Sequence, residues 1–526
     1  MDVTRLTAIE QADLVRSRKI SAVELLESAL KRIEAVDGRP GSSRNNGELP
    51  EDKEYIHAFV HVCRDHALHK AKEVDKRIAA GEPVGPLAGV PYAAKDVYCT
   101  SGIPTEAGSR ILQGWIPPYQ STVIERMDAA DAVLIGKTNC DEFAMGGTDL
   151  TSACVPAPRN PRDLTRVPGG SSGGAAAAAA SFQAALSLGT DTGGSIREPA
   201  AFCGVVGLKP TYGRVSRYGT IPLASSMDTP GPIARSAADA ALALKVIAGH
   251  DPRDNTSVRS DVPDYPEELK KGVKGLRVGL SPDLTRCGAV SPDGSYEERE
   301  LPREIRNALE RTAEILRDAG AELIEDVPMP NTRYSIPAYF VISRIEAYSN
   351  LQRFDGLKYG RAAERKDADM YELFAASREE GFGFQTKLRI LTGLFLSQKD
   401  FYEKYYLRAQ RARAKIRGDY DRAFDPAGKY RLDVLLTPAV PTAAFPMDAK
   451  ETDNIMIQYA DCFTSPMNFA GTPAVAFPVG TDGDGLPIGV QAAGYDGCEA
   501  KILRTAYAVE LLLRQKGEWI PGGDHD

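Results

Sequence analysis

Two serines in separate glycine-rich segments are the residues of this chain best suited to covalent chemistry. Ser171 lies in residues 168–174 (PGGSSGG), and Ser195 lies in residues 191–197 (DTGGSIR). Flanking glycines remove side-chain bulk, so that backbone N–H groups can approach a bound substrate closely. A serine hydroxyl among such donors is typical of a nucleophile that faces an oxyanion hole. The two segments therefore predict a site for acyl transfer.

A serine nucleophile needs a base that removes its proton, and histidine is the usual one. None of the six histidines lies in a glycine-rich segment, although a Ser-His-Asp triad assembled in space stays an alternative. The second candidate is Lys95, which follows the apolar run of residues 87–94 (LAGVPYAA) and is predicted to end a buried strand. Burial lowers the pKa of a lysine and makes it a usable base near neutral pH. The alternatives for Lys95 are an amine that reaches solvent and an ion pair with Asp96.

Lys95, the PGGSSGG segment and residues 189–197 (GTDTGGSIR) together resemble the amidase signature family. The resemblance implies a Ser-cisSer-Lys triad. In such a triad Ser195 is the nucleophile, Ser171 follows a cis peptide bond and relays the proton, and Lys95 is the general base. The resemblance also implies an oxyanion hole formed by the backbone N–H groups of Thr192, Gly193, Gly194 and Ser195.

Residues 207–219 (GLKPTYGRVSRYG) and 346–356 (EAYSNLQRFDG) narrow the resemblance to one branch of that family, the A subunits of tRNA-dependent amidotransferases. The similarity extends over about residues 5–515. It implies a glutaminase that supplies ammonia for converting Glu-tRNA(Gln) to Gln-tRNA(Gln), Asp-tRNA(Asn) to Asn-tRNA(Asn), or both. The implied partners are a B subunit, which binds the mischarged tRNA, ATP and Mg²⁺, and a small C subunit, which clamps the other two together. This sequence contains no P-loop motif, so we expect no cofactor in this chain and the ATP chemistry elsewhere.

Free glutamine carries an α-ammonium and an α-carboxylate, so a selective pocket should offer it one anion and one cation. The resemblance implies that Arg389 binds the carboxylate, that Asp461 binds the ammonium and that Tyr339 lines the same pocket. A surface ion pair is the alternative for Arg389 and Asp461. The sequence departs from the family pattern at Glu198, where glutamine is usual, and in residues 147–151 (GTDLT). A stand-alone amidase acting on a small or aryl amide is therefore the second functional prediction.

The composition is that of an ordinary globular protein of 526 residues with a formal net charge of −8. Its eight cysteines form no C-x-x-C pair and no cluster with histidine, which argues against a zinc site and a disulfide scaffold. His66 and His69 are three residues apart, but no third ligand accompanies them, so no metal is expected. Neither a signal peptide nor an apolar run of about 20 residues is evident. We therefore expect a cytoplasmic protein without a membrane segment.

Short apolar runs alternate with helical patterns along the chain, which predicts an α/β fold. The family resemblance implies a central mixed β-sheet covered by helices on both faces. Because no linker divides the chain, we expect residues 1–526 to form a single amidase-signature domain. The predicted elements are a helical N-terminal segment at 4–36 with a capping box at Ser21, a loop at 38–52, strands at 132–137, 204–210, 276–280, 322–324 and 432–438, a helix at 305–319, and a helical insertion at about 340–424.

Overall fold

An eleven-stranded mixed β-sheet is the centre of the computed structural model, which describes residues 2–290, 296–449 and 459–520. The strands in chain order are β1 (Phe59–Val62), β2 (Pro91–Lys95), β3 (Val133–Thr138), β4 (Leu186–Asp191), β5 (Val206–Lys209), β6 (Thr229–Ala234), β7 (Arg277–Leu280), β8 (Arg286–Val290), β9 (Tyr296–Glu300), β10 (Glu322–Ile324), β11 (Val434–Pro438), β12 (Ala474–Thr481) and β13 (Pro487–Ala493). Their order across the sheet is β1-β3-β2-β4-β6-β5-β12-β13-β11-β7-β10, and β8 and β9 form a separate hairpin.

Helices surround the sheet, and several begin at capping residues that the sequence makes visible. Ser21 Oγ accepts from the Glu24 N–H while the Glu24 carboxylate accepts from the Ser21 N–H, which is the predicted capping box. None of the described helices is long and apolar enough to cross a membrane. The helices are α1 (Ala8–Arg16), α2 (Ala22–Val36), α3 (Arg64–Ala79), α4 (Thr122–Ala129), α5 (Gly173–Ala180), α6 (Arg197–Cys203), α7 (Ala237–Ile247), α8 (Tyr265–Leu269), α9 (Arg303–Asp318), α10 (Ser335–Leu351), α11 (Met370–Gly381), α12 (Phe384–Leu396), α13 (Lys399–Phe401), α14 (Leu407–Phe424), α15 (Ser465–Ala470) and α16 (Glu499–Gln515).

Side chains of β2 alternate between two separate hydrophobic cores, one on each face of the sheet. Tyr92 and Ala94 pack in the larger core, to which α7 and α16 contribute apolar side chains. Ala93 packs in the second core together with apolar residues of α2 and α3. Successive residues of a strand point to opposite faces, so a strand with no polar face must be covered on both sides. The predicted mixed sheet with helices on both faces is confirmed.

The sequence located most elements that carry a continuous apolar run or a strong helical period. The predicted elements that form, with bounds that differ by at most a few residues, are the N-terminal helices, the strands near residues 132–137, 204–210, 276–280, 322–324 and 432–438, and the helix near 305–319. The predicted helical insertion corresponds to α10 through α14, interrupted by residues 352–369. The single-domain assignment of residues 1–526 stays a prediction.

Candidate active site

Two neighbouring strands deliver the predicted base and the predicted nucleophile to the same edge of the sheet. Strands β2 and β4 are parallel and hydrogen-bonded to each other, so their carboxyl ends lie side by side. Lys95 is the last residue of β2, and Asp191, the last residue of β4, leads into the loop that carries Ser195. The edge formed by carboxyl strand ends is where α/β sheets usually bind their ligands.

Lys95 is fully buried and in direct contact with the first serine segment. Its Nζ donates to the Oγ of Ser171 at 2.6 Å and to the Oγ of Ser172 at 3.0 Å, and the Gly170–Ser171 peptide bond is cis. Burial lowers the pKa of Lys95, although nearby acidic groups oppose this effect. The alternative in which Lys95 pairs with Asp96 is wrong, because the Asp96 carboxylate lies 3.2 Å from Nζ of Lys137 instead. The alternative of an amine that reaches solvent is excluded by its burial.

A buried ion pair fixes both ends of the loop of residues 192–196, which contains Ser195. Arg197 donates from Nε and Nη2 to the two carboxylate oxygens of Asp191 at 2.9 and 3.0 Å, and neither side chain is exposed. Asn468 joins them, since its Nδ2 donates to Asp191 at 2.8 Å and its Oδ1 accepts from Arg197 at 2.7 Å. Burial alone would raise the pKa of Asp191, but Arg197 and these hydrogen bonds hold it below its usual value. The loop is therefore held rigidly at both ends.

The same loop presents a row of backbone donors. Among the residues that the structure describes, no acceptor receives a hydrogen bond from the N–H groups of residues 192–195. Other atoms of the loop are bound: Thr192 Oγ1 donates to Asp228 at 2.7 Å, and the Gly193 carbonyl accepts from Thr464 Oγ1 at 2.7 Å. Buried N–H groups nearly always have partners, so a row of free ones indicates a place for a ligand oxygen. The oxyanion-hole roles of Thr192, Gly193 and Gly194 stay predictions that this geometry suits.

Tyr339, Arg389 and Asp461 all line one cavity of about 220 Å³, and Tyr339 and Asp461 also lie close to the Ser195 loop. A methyl group on Gly193 would lie 2.9 Å from the Tyr339 ring, and one on Gly194 would collide with the Asp461 carboxylate. The two glycines therefore allow the loop to approach the cavity wall closely. Within the described residues Arg389 and Asp461 form no ion pair with each other, which leaves both groups for a ligand.

Asp461 has an ionisation close to neutral pH. Burial and the charge of Asp191 raise the pKa of Asp461 to about 7, against the opposing hydrogen bond from Thr464. A bound ammonium group would favour its charged form. The carboxyl therefore gains its charge in the range where an amino-acid ligand carries a positive α-amino group.

Both departures from the family pattern lie at this site. Four of the residues in 147–151 line the cavity, namely Gly147, Thr148, Leu150 and Thr151. Glu198 is buried and its N–H donates to the Gly194 carbonyl at 2.8 Å. Burial and the charge of Asp461 raise the pKa of Glu198 well above its usual range, which favours an uncharged carboxyl. An uncharged Glu198 carries no more charge than the glutamine usual at this position.

Two residues of the site, Ser172 and Arg344, were not predicted from the sequence. Ser172 accepts from Lys95 and also donates to the Thr190 carbonyl at 3.2 Å, which attaches the serine segment to β4. The double serine in PGGSSGG was the available signal for it. Arg344 lines the cavity together with Arg389. Because Arg344 lies within a long helical segment, no sequence pattern around it indicated a role in the site. Among the residues that the structure describes, no three His, Cys, Asp or Glu side chains are grouped to hold a metal ion.

The chain belongs to the amidase family, whose sequence profile, described as Amidase, matches residues 50–503. The A subunit of glutamyl-tRNA(Gln) amidotransferase from Carboxydothermus hydrogenoformans is 44% identical over 510 residues, which cover 97% of this chain and 98% of that protein. The solved structure of the A subunit of glutamyl-tRNA(Gln) amidotransferase from Thermotoga maritima matches with a TM-score of 0.76 at 31% identity, covering 100% of this chain and 99% of that one. A bacterial aryl acylamidase of the amidase signature enzymes matches with a TM-score of 0.80 at 27% identity, over 99% of each chain.

Proposed function

We propose that this chain is the glutaminase subunit of a tRNA-dependent amidotransferase. The observation that carries the proposal is the cavity at the Ser195 loop, which offers Asp461 to an ammonium and Arg389 to a carboxylate. Free glutamine carries both groups, whereas a small or aryl amide carries neither. The similarity to curated A subunits over nearly the whole chain supports the same function.

The proposed chemistry begins with a proton transfer from Ser195 to Lys95 through Ser171. The neutral Nζ of Lys95 takes the proton of the Ser171 hydroxyl, with which it is in contact, while Ser171 takes the proton of Ser195. The Ser195 oxygen attacks the side-chain amide carbon of glutamine, and the N–H groups of residues 192–195 stabilise the resulting oxyanion. The proton then moves to the leaving nitrogen, ammonia departs and a glutamyl ester of Ser195 remains. Water hydrolyses this ester and releases glutamate.

We assign the selection of the substrate to three residues that line the cavity. Asp461 binds the α-ammonium, Arg389 binds the α-carboxylate, and Tyr339 packs beside the loop at Gly193. Charge-assisted hydrogen bonds to both groups would orient the side-chain amide toward Ser195. An amide that lacks both charged groups forms neither bond and is expected to be a poor substrate.

In the proposed function, the released ammonia is used by a partner subunit. We propose that the B and C subunits of such an enzyme complete a heterotrimer with this chain in the cytoplasm, and that the mischarged tRNA is activated with ATP and Mg²⁺ on the B subunit. The names of the relatives identify them as subunits of such an enzyme, which supports this assignment. Amidation of Glu-tRNA(Gln), Asp-tRNA(Asn) or both would then depend on which tRNA the B subunit recognises.

Ammonia release from glutamine tests the proposal. The chain is assayed alone and co-purified with candidate B and C subunits, with and without mischarged tRNA and ATP, and Ser195→Ala in the same complex serves as control. We expect glutamine hydrolysis that the partners and tRNA stimulate and that Ser195→Ala abolishes. Turnover of simple amides by the isolated chain, with no glutamine turnover under any condition, would instead identify a stand-alone amidase.

A further inference from the structure

A second arginine lies in the cavity that we assign to glutamine. Arg344 on α10 and Arg389 on α12 both line it, together with Asp461. The two helices approach closely at Gly393, where a methyl group would collide with the Arg344 carbonyl oxygen. This close packing brings two guanidinium groups into one small cavity.

Arg344 is held in place by its own helix and not by a counter-ion. Its Nη1 donates to the Phe340 carbonyl at 3.2 Å, and its guanidinium carbon lies 3.8 Å from the centre of the Phe340 ring. In the described part of the chain neither Arg344 nor Arg389 forms an ion pair, and Arg389 Nε is buried without a hydrogen-bond partner. Burial and the charge of Arg389 lower the pKa of Arg344 to about 9.

Two neighbouring cations that form no ion pair are an unfavourable arrangement that a bound anion relieves. Like charges in a partly buried site repel each other, and a buried donor without a hydrogen-bond partner is destabilising. A carboxylate has two oxygens that together accept up to four hydrogen bonds, so one guanidinium can bind from each side. The cavity thus has a doubly cationic wall and an acidic group at Asp461.

We propose that Arg344 and Arg389 together bind the substrate α-carboxylate, which makes Arg344 a further specificity-determining residue. The inference rests on the proposed function, since it concerns the same cavity. It gives a physical reason why the substrate must be an amide that carries a free α-carboxylate, as glutamine does. Neutral amides would leave both arginines unpaired, and the site discriminates against them for that reason.

The test compares glutamine with 4-aminobutanamide, which is glutamine without its α-carboxylate. Steady-state kinetics are measured for the wild type, Arg344→Leu and Arg344→Lys, each in complex with the B and C subunits. Arg408→Leu, at an exposed arginine of α14, is the matched control. Arg344→Leu should raise KM for glutamine by about 10–100-fold, which is the loss of affinity expected when hydrogen bonds to a charged group are removed. Its kcat/KM for 4-aminobutanamide should not fall, and Arg344→Lys should recover part of the glutamine affinity.

Each outcome bears on one hypothesis only. An unchanged KM for glutamine in Arg344→Leu, with an active wild type, overturns the assignment of Arg344. Equal losses on glutamine and 4-aminobutanamide also overturn it, because they indicate a structural role. A wild-type complex that hydrolyses 4-aminobutanamide but not glutamine refutes the proposed function itself, and this result needs no Arg344 variant.

Discussion

Replacing Arg197 by methionine should destabilise the protein by about 3–5 kcal/mol, the cost of breaking a buried ion pair from one side. Arg197 donates four hydrogen bonds of 2.7–3.0 Å, two to Asp191 and one each to Asn468 and Gln491. Methionine keeps the packing of the apolar stem but provides none of these donors. The Asp191 carboxylate would stay buried and lose its ion-pair partner, keeping hydrogen bonds from the Asn468 amide and the Ile196 N–H and the weaker influence of the Lys209 charge.

The assay is the free energy of unfolding in urea, followed by circular dichroism and tryptophan fluorescence, whose agreement checks that unfolding is cooperative. The double variant Asp191→Asn/Arg197→Met removes both charges. Its destabilisation should be smaller than the sum of the two single effects by about 2 kcal/mol, because the groups are in contact. Arg408→Met, at an exposed position, should stay within about 0.5 kcal/mol of the wild type.

The Arg197→Met variant should also lose activity, because the ion pair holds both ends of the loop that carries Ser195. Arg197→Met should release little ammonia from glutamine even at a temperature where it is fully folded. A loss of stability below about 1 kcal/mol, or single effects that add within about 0.5 kcal/mol, would refute the role given to the ion pair. A folded Arg197→Met variant with wild-type activity would show that the loop keeps its conformation without it.

Ser195→Ala should lower ammonia release by on the order of 10⁴-fold or more and leave the melting temperature unchanged, since it removes only the nucleophile. Ammonia release by this variant at the wild-type rate would contradict the assignment. Because only a neutral amine accepts a proton, the wild-type rate should rise with pH through the lowered pKa of Lys95, and a pH profile without an acidic limb would contradict a lysine base. The third prediction concerns the ratio of kcat/KM for glutamine to kcat/KM for 4-carbamoylbutanoate, which is glutamine without its α-ammonium. This ratio should fall about tenfold from pH 8 to pH 6 as Asp461 is protonated. Asp461→Asn should remove this pH dependence, and a ratio that still falls in this variant would show that another group titrates.

The site residues that could be predicted without the family resemblance are those whose chemistry is evident from a short segment, whereas Arg389, Asp461 and Tyr339 were predicted from the resemblance alone. Ser171 and Ser195 lie in glycine-rich runs, and Lys95 is a charged residue at the end of an apolar strand, so each is conspicuous locally. Arg344 and Asn468 lie on helices far along the chain, and what they touch depends on how those helices pack. No local sequence pattern predicts such contacts, because helical periodicity indicates which face of a helix is buried but not which residues pack against that face.

Two lysines on neighbouring strands show what distinguishes a base from a structural cation. Lys95 on β2 and Lys137 on β3 are both fully buried, but only Lys137 has a carboxylate, that of Asp96, as its partner. Lys95 contacts serine hydroxyls, which can donate to a neutral amine as well as accept from a charged one. The register places Lys137 opposite Ala94, on the face shared by Asp96, whereas Lys95 points to the other face. The alternation of the strand thus keeps the adjacent Asp96 carboxylate away from the base. Within the described residues Lys95 is buried with no carboxylate in direct contact, and this burial favours the neutral amine against the opposing charges of Asp149 and Asp141.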